Sequence, residues 1–578
     1  MLLHLLPKNG KNMFQAIRSA LYKNTNIALA LALFCIQVRG LCLDVMDVDA
    51  AQYASIALEM LRGGHWLQVL HRGTDYLDKP PLLFWTSAAS FSLFGIHNWA
   101  YKLPSFLAAL AGVWATYRFS RLFYAQATAI HAAFILASSL GICLMTNDVR
   151  TDTLLLGTTA CAVWLCAEYL LFARWVYLLG AAVCVGLAML AKGPIGLVMP
   201  LLAVGSHLLL RRDWRGLFRW QWLVGLAVVA LVLAPMCWGL YQQFDLHPEK
   251  SLNDRRTTSG LYFFFWEQSF GRVTGENVWE DDSTPLFFVH TYLWVFLPWA
   301  LLFAGALWTR ARAVFLQKCH IATSDEAYSL GGFLLTFVAL SLSKYKLPHY
   351  IYVTLPWAAV LTARFLEGLF AMSAKRSAQK YWINIQYFVL IITGILAFFA
   401  PGKVFFSTNI WIWCALLATF GCLIFVTWQN PWPSQADILI KRSVLASIGL
   451  GISLNFWFYP HLLPYQSTAA AGKWVRQQEI PAEKCAYFLR HGHALDFYAQ
   501  FWWQKTTTPA SVAQLANEKN GLYLYTTADG KAELDSAQVR YTTAAIFDHF
   551  QAARLNGSFL MPETRQHTLQ TMFVLKIK

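Results

Sequence analysis

The sequence predicts an α-helical polytopic membrane protein that ends in a small α/β domain outside the bilayer. Three observations carry this expectation. The 578 residues are 57% hydrophobic and only 13% charged, about half the charged share of a soluble domain. Apolar runs long enough for helices of roughly 20 residues recur through most of the chain. From about Tyr465 the runs stop, and short strand-like and helix-like segments follow. Aromatic residues reach 16%, and many Trp and Tyr lie near the ends of the apolar runs, where interfacial belts form.

The first apolar run, near 27–43, follows Lys8, Lys11, Arg18 and Lys23. No small-residue cleavage site stands out and many runs follow, so it reads as a first span with a cytoplasmic start. Further runs fall near 81–97, 102–122, 126–146, 153–172, 175–192, 194–210 and 219–240. Others fall near 286–308, 327–343, 347–368, 382–400, 407–428 and 442–460. If every run crosses, the basic loops Arg211–Arg215, Arg310/Arg312 and Lys375/Arg376 land outside, against the positive-inside rule. Removing 81–97 restores them. That run starts at Pro80-Pro81 and carries Ser87, Ser90 and Ser92. It therefore reads as juxtamembrane or re-entrant helix within one long outer loop, 44–100, leaving about thirteen spans.

A second large outer loop covers 241–285. The expected division is a membrane domain, 1–464, and an outer α/β domain, 465–578, of ordinary domain size. In the outer domain, 469–478 and 510–519 read as helices, and 485–490, 521–526 and 571–577 as strands. The net charge of +15 is explained by Lys and Arg scattered over cytoplasmic loops. Their dispersal argues against nucleic-acid binding, which needs a patch. Most of the 11 cysteines lie in or beside apolar runs. Cys319 and Cys485 fall on opposite sides and no CxxC occurs, so neither a disulfide framework nor a structural zinc site is expected.

The same parity places a set of charged clusters on one outer face: Met46–Asp49, Leu77–Pro81, Asn147–Asp152, Ala191–Pro194, Trp266–Arg272 and Ser343–Tyr350. Charges at span ends are costly unless solvated or paired. Mixtures of acids, bases, Pro and Gly at helix ends suit backbone that lines a cavity. Asp49 heads a helical pattern in which Tyr53, Ile56, Met60 and Leu61 recur at helical spacing, closed by Gly63-Gly64. Asp49 suits either an N-cap or a general base for an acceptor hydroxyl. Asp47 and Asp49 also have the form of a DxD metal motif, a weak signal. Lys79, Lys192, Arg272, Lys344 and Lys346 gather cations beside lipid-facing helices, as a phosphate carried on a membrane lipid requires. Tyr350 adds a hydroxyl donor. Taken singly, each cation also suits snorkelling at the interface.

The order of these residues carries a family resemblance. An Asp follows the first span, then come Tyr76–Pro81, Asp152, Lys192-Gly193, Glu267, Arg272 and Lys344–Tyr350. This order resembles the GT-C membrane glycosyltransferases, in particular the bacterial relatives of protein O-mannosyltransferases and the lipid A aminoarabinose transferases. It covers about residues 25–370; beyond them it rests on span count and the outer domain. The resemblance implies a GT-C fold and an inner-membrane protein with a periplasmic site and C-terminus. It implies inverting transfer of a sugar from a polyprenyl phosphate, such as undecaprenyl phosphate, to a lipid, glycan or protein acceptor, with no nucleotide. Asp49 would be the catalytic residue. Lys79, Arg272, Tyr350 and Lys346 would grip the lipid phosphate. Asp152, Lys192, Glu267, Lys344, His349 and Tyr53 would line the site.

No cofactor is required by this chemistry, a divalent metal is not expected, and the protein is expected to act as a monomer. One departure stands out: relatives commonly carry Asp-Glu at the first position, and this chain has Asp49-Ala50. The alternative reading is a flippase for polyprenyl-linked sugars. Transporters, however, tend to place polar groups at mid-membrane between related halves, and this sequence shows neither feature.

Overall fold

The chain leaves its first long helix, α1 (Gly10–Leu41), and turns into α2 (Asp49–Gly63). Gly64 ends α2 with φ 66°, the left-handed turn that glycine adopts without strain. A small hairpin, β1 (Leu70–His71) with β2 (Thr74–Asp75), leads to α3 (Leu82–Phe94). The structure is a computed structural model and describes residues 10–247, 249–252, 255–256, 259–268, 271, 284–322, 325–371, 376–429 and 434–578.

Helix α3 has 13 residues, about 20 Å of rise, against roughly 30 Å of hydrocarbon. Its serines bind the next helix, α4 (Asn98–Phe123). Ser90 donates to the Ala100 carbonyl at 2.6 Å and Ser87 to that of Tyr101 at 3.3 Å. Phe91 stacks on Phe497 of the C-terminal domain, ring centroids 6.2 Å apart. The segment 81–97 therefore packs as a short helix against α2, α4 and the C-terminal domain.

The remaining membrane helices run α5 (Gln126–Ala137), α6 (Leu140–Asn147), α7 (Thr151–Phe172), α8 (Trp175–Lys192) and α9 (Ile195–Leu210). Helices Gln221–Leu240, Phe287–Val295, Ala300–Leu316, Tyr328–Ser341, Leu355–Ala371, Arg376–Phe399, Ile410–Gln429 and Gln435–Ile452 follow. A second hairpin, β3 (Ser251–Leu252) with β4 (Arg255–Arg256), lies in the outer loop after Gln221–Leu240. Among the described residues, six helices are long and apolar enough to cross a membrane, or seven if α5 and α6, bent by 48°, form one span.

Some expected single spans are broken. The Ser138 and Ser139 hydroxyls return to the Phe134 and Leu136 carbonyls at the bend between α5 and α6, at 2.6 and 2.8 Å. Segment 286–308 divides at Pro298, which has no N–H to donate. Segment 347–368 opens with a 3₁₀ turn, Pro348–Thr354, before its α-helix.

The basic loops meet at one end of the helices. At the start of α4, Asn98 accepts from the Tyr498 hydroxyl of the C-terminal domain at 3.0 Å. At its other end, about 39 Å away for 26 residues, Tyr124 donates to Glu326 at 2.6 Å. There Arg310 and Arg364 both pair with Asp325 at 2.8 Å, and Ile321 N–H reaches the Leu210 carbonyl at 3.1 Å.

Close packing of α4 on α7 depends on glycine. A Cβ on Gly157 would fall 2.7 Å from the Ala108 carbonyl carbon, and one on Gly112 would meet Leu156 at 2.7 Å. Small residues let membrane helices approach this closely. Gly157→Leu should destabilise the fold by about 3 kcal/mol or more, since backbone cannot yield as a side chain does. Thermal unfolding in detergent measures this; an unchanged unfolding temperature would mean that α4 and α7 do not touch here.

The C-terminal domain holds β5 (Cys485–Phe488), β6 (Gln504–Thr506), β7 (Leu522–Thr527), β8 (Tyr541–His549) and β9 (Gln570–Ile577), in the order β6-β5-β7-β9-β8. β6, β5 and β7 are parallel, while β9 runs antiparallel to β7 and β8. The expected helices appear as Ser467–Gln477 and Pro509–Lys519. The sequence pattern misses β6, which has 3 residues, and β8, an edge strand whose residues are mostly exposed or half-buried, so no apolar face marks it.

Candidate active site

The site is built around the start of α7. Arg150, just before that helix, forms an ion pair with Asp49 and a second, at 3.0 Å, with Asp148. Val48 is the residue that precedes α2, and the Asp49 carboxylate faces Arg150 instead of capping the helix. One turn along α2, Tyr53 is buried with its ring 5.9 Å from Phe84. Burial, then the neighbouring Tyr76 and Asp49, raises its hydroxyl pKa well above the usual tyrosine value, so it stays a neutral hydroxyl. Ala50 is buried in the packing of α2.

Asp152 stands two residues after Arg150, in the first turn of α7, and is buried. It forms an ion pair with Lys192, the last residue of α8, and lies 3.7 Å from His349. Gly193, at φ 80°, and Pro194 turn the chain into α9 and leave Lys192 at the corner. The Lys192 ammonium sits 3.8 Å from the centroid of the Tyr350 ring. That is a close cation–π contact that fixes both groups. Asp49 and Lys192 are thus held by partners from one short stretch, Arg150–Asp152.

Lys79 reaches this corner from the outer loop and pairs with Asp78 at 2.6 Å. The Gln268 side-chain amide donates to the Asp78 carbonyl and holds that segment in place. Lys79, Lys192, Gln268 and Tyr350 form the polar end of a cavity of about 170 Å³. Apart from Thr336 and Ser343 the rest of the wall is apolar: Leu155 from α7, Ile195, Val198 and Met199 from α9, and Leu340 from the facing helix among them. The arrangement offers a cationic mouth to a charged group and an apolar channel to whatever that group is attached to.

Not every expected residue meets here. Asp47 turns away from Asp49. Its carboxylate accepts from the Thr468 hydroxyl at 2.8 Å and from the Ala494 N–H at 3.2 Å, and its own N–H donates to Gln466 at 2.8 Å. Burial raises its carboxyl pKa despite those hydrogen bonds. The DxD reading is corrected accordingly: one carboxylate ties down the C-terminal domain and the other holds Arg150. Among the described residues no group of three or more His, Cys, Asp or Glu is placed to hold a metal ion.

Lys346 is buried and Lys344 exposed. Glu267 directly precedes Gln268, and it is Gln268 that lines the cavity. Arg272 lies outside the described residues. The sequence reading missed Arg150, Asp148 and Gln268. Arg150 had a signal, a lone base between two acids in Asn147–Asp152; Gln268 had none.

Comparisons place this geometry among known proteins. The Dolichyl-phosphate-mannose-protein mannosyltransferase family matches residues 78–238. The undecaprenyl phosphate-alpha-4-amino-4-deoxy-L-arabinose arabinosyl transferase of Edwardsiella ictaluri is 26% identical over 427 residues, 70% of this chain and 72% of that one. Its counterpart in Pseudomonas aeruginosa strain UCBPP-PA14 is 28% identical over 313 residues, 52% of each chain. ArnT from Cupriavidus metallidurans in the apo state superposes with a TM-score of 0.70 at 17% identity, covering 96% of this chain and 98% of that one. The same protein bound to undecaprenyl phosphate gives 0.71 at 17% identity, covering 95% and 97%. The chain has the GT-C fold and resembles the aminoarabinose transferases of that class.

Proposed function

We propose that this protein is an inverting glycosyltransferase that moves a sugar from a polyprenyl phosphate to a hydroxyl or phosphate of a lipid, glycan or protein acceptor. The observation that carries the proposal is the cavity. Lys79, Lys192 and Tyr350 line a largely apolar channel, the complement of a phosphate on a long hydrocarbon. The fold match to a protein crystallised with undecaprenyl phosphate supports this donor class. The relatives' names make an undecaprenyl-phosphate-linked aminoarabinose the first donor to test, with lipid A as the first acceptor. Gathering of the basic loops at the opposite end supports a periplasmic site in the inner membrane.

For a hydroxyl acceptor, Asp49 takes the proton as the acceptor oxygen bonds to the anomeric carbon. The bond from that carbon to the phosphate oxygen breaks, and the electron pair leaves with the phosphate. Arg150 holds one oxygen of Asp49, which orients the other toward the acceptor. Lys79 and Lys192, with Arg272, Tyr350 and Lys346 as further donor contacts, stabilise the charge developing on the phosphate. Phosphate is a good leaving group beside such cations, so the proposed reaction proceeds without a metal and within one monomer.

Detergent-solubilised protein incubated with the undecaprenyl-phospho-sugar and acceptor should release free undecaprenyl phosphate as product forms. Passage of the donor across liposomes without release would replace the transferase with a flippase.

A further inference from the structure

A second polar pocket lies away from the cavity and shares no wall with it. It holds about 460 Å³ between the corner joining α3 to α4 and two helices of the C-terminal domain. His97 and Asn98 line it from the corner; Lys473, Arg476 and Tyr498 line it from the domain. Arg62 stands beside it, bonded through both terminal nitrogens to Gln500, whose side chain is part of the wall.

The charge here is one-sided. Asp44 is the acid that reaches the wall; it pairs with Lys473 at 2.6 Å and accepts from Asn98 at 3.1 Å. Among the described residues no acid pairs with Arg476. Arg62 and Arg476 are close enough that burial and then the Arg476 charge push the Arg62 guanidinium below its usual pKa. Like charges held together without a counter-ion mark a place for an anion.

The rim shows where that anion comes from. Leu93, Phe94 and Trp99 on the same corner are 75%, 47% and 37% exposed. Phe94 and Trp99 pack at 5.3 Å, and His97 stacks on Trp99 at 6.1 Å. The corner opens α4, a helix of 26 residues, and exposed apolar and aromatic side chains at such a helix start have the composition of an interfacial aromatic belt. An apolar rim in the lipid below a cationic pocket matches a headgroup phosphate on its own acyl chains.

We propose that this pocket binds the phosphate of an anionic membrane lipid where the C-terminal domain meets α4. The proposal does not depend on sugar transfer, and its test uses no turnover. The full-length protein in detergent would be titrated by native mass spectrometry with phosphatidylglycerol and with phosphatidylcholine of the same chains.

Phosphatidylglycerol should bind more tightly. Arg476→Glu should weaken it about tenfold without changing phosphatidylcholine binding or the unfolding temperature, and Arg476→Lys should retain most of it. Arg476→Gln, which only removes the charge, should give a smaller loss in the same direction. Equal affinity for the two lipids, or no loss in Arg476→Glu, would overturn the proposal. Displacement of phosphatidylglycerol by inorganic phosphate at matched concentration would assign the pocket to a soluble phosphate and overturn the lipid assignment.

Discussion

Asp49→Asn should lower transfer by about 10²–10⁴-fold while donor binding survives. The substitution keeps the shape and still lets Arg150 donate to the side-chain oxygen. What disappears is the ability to take a proton from the acceptor. On the proposed reading the donor phosphate is met by Lys79, Lys192 and Tyr350, which line a cavity that Asp49 does not line, so affinity for the undecaprenyl-phospho-sugar should change little. Single-turnover kinetics separates the two effects. A rate within tenfold of the unaltered protein would remove Asp49 from the role of base.

The other large effect is expected at Lys192. Lys192→Ala removes a cation from the mouth of the cavity and takes from the buried Asp152 carboxylate its lysine partner, leaving His349 3.7 Å away. A lost charge-assisted contact to phosphate is worth about 1.5–3 kcal/mol, or roughly ten- to a hundredfold in donor affinity. Breaking a buried ion pair costs up to about 3–5 kcal/mol of stability. The two losses separate in the double variant Lys192→Ala/Asp152→Asn, which should recover much of the stability and none of the donor affinity. Lys79→Ala gives the contrast. Its partner Asp78 is 41% exposed and remains solvated, so affinity should fall with little change in unfolding temperature. Unchanged donor affinity in Lys192→Ala would remove the cavity from the donor-binding role.

The helices were legible because they depend on local pattern. Apolar runs mark the membrane helices, and the charge of loops far from the site is what set 81–97 apart from them. Two of the three serines that flagged that segment, Ser87 and Ser90, bind it to α4. Asp49, Asp152, Lys192 and Tyr350 were legible as charged or hydroxyl groups at helix ends. Their pairing was not. The Arg150–Asp49 contact joins residues about a hundred positions apart, and no periodicity encodes it. Gln268 carries no charge and lies next to the more conspicuous Glu267. The bend at Ser138-Ser139 and the break at Pro298 were hidden because an apolar run reads the same whether its helix is continuous or interrupted.

Asp47 and Asp49 are separated by a single residue, yet they answer to different parts of the molecule. Asp47 is fastened to Thr468 and to the backbone of Ala494, while Asp49 is fastened to the start of α7. Two peptide bonds separate the anchor of a domain that contributes nothing to the cavity wall from the carboxylate beside Arg150.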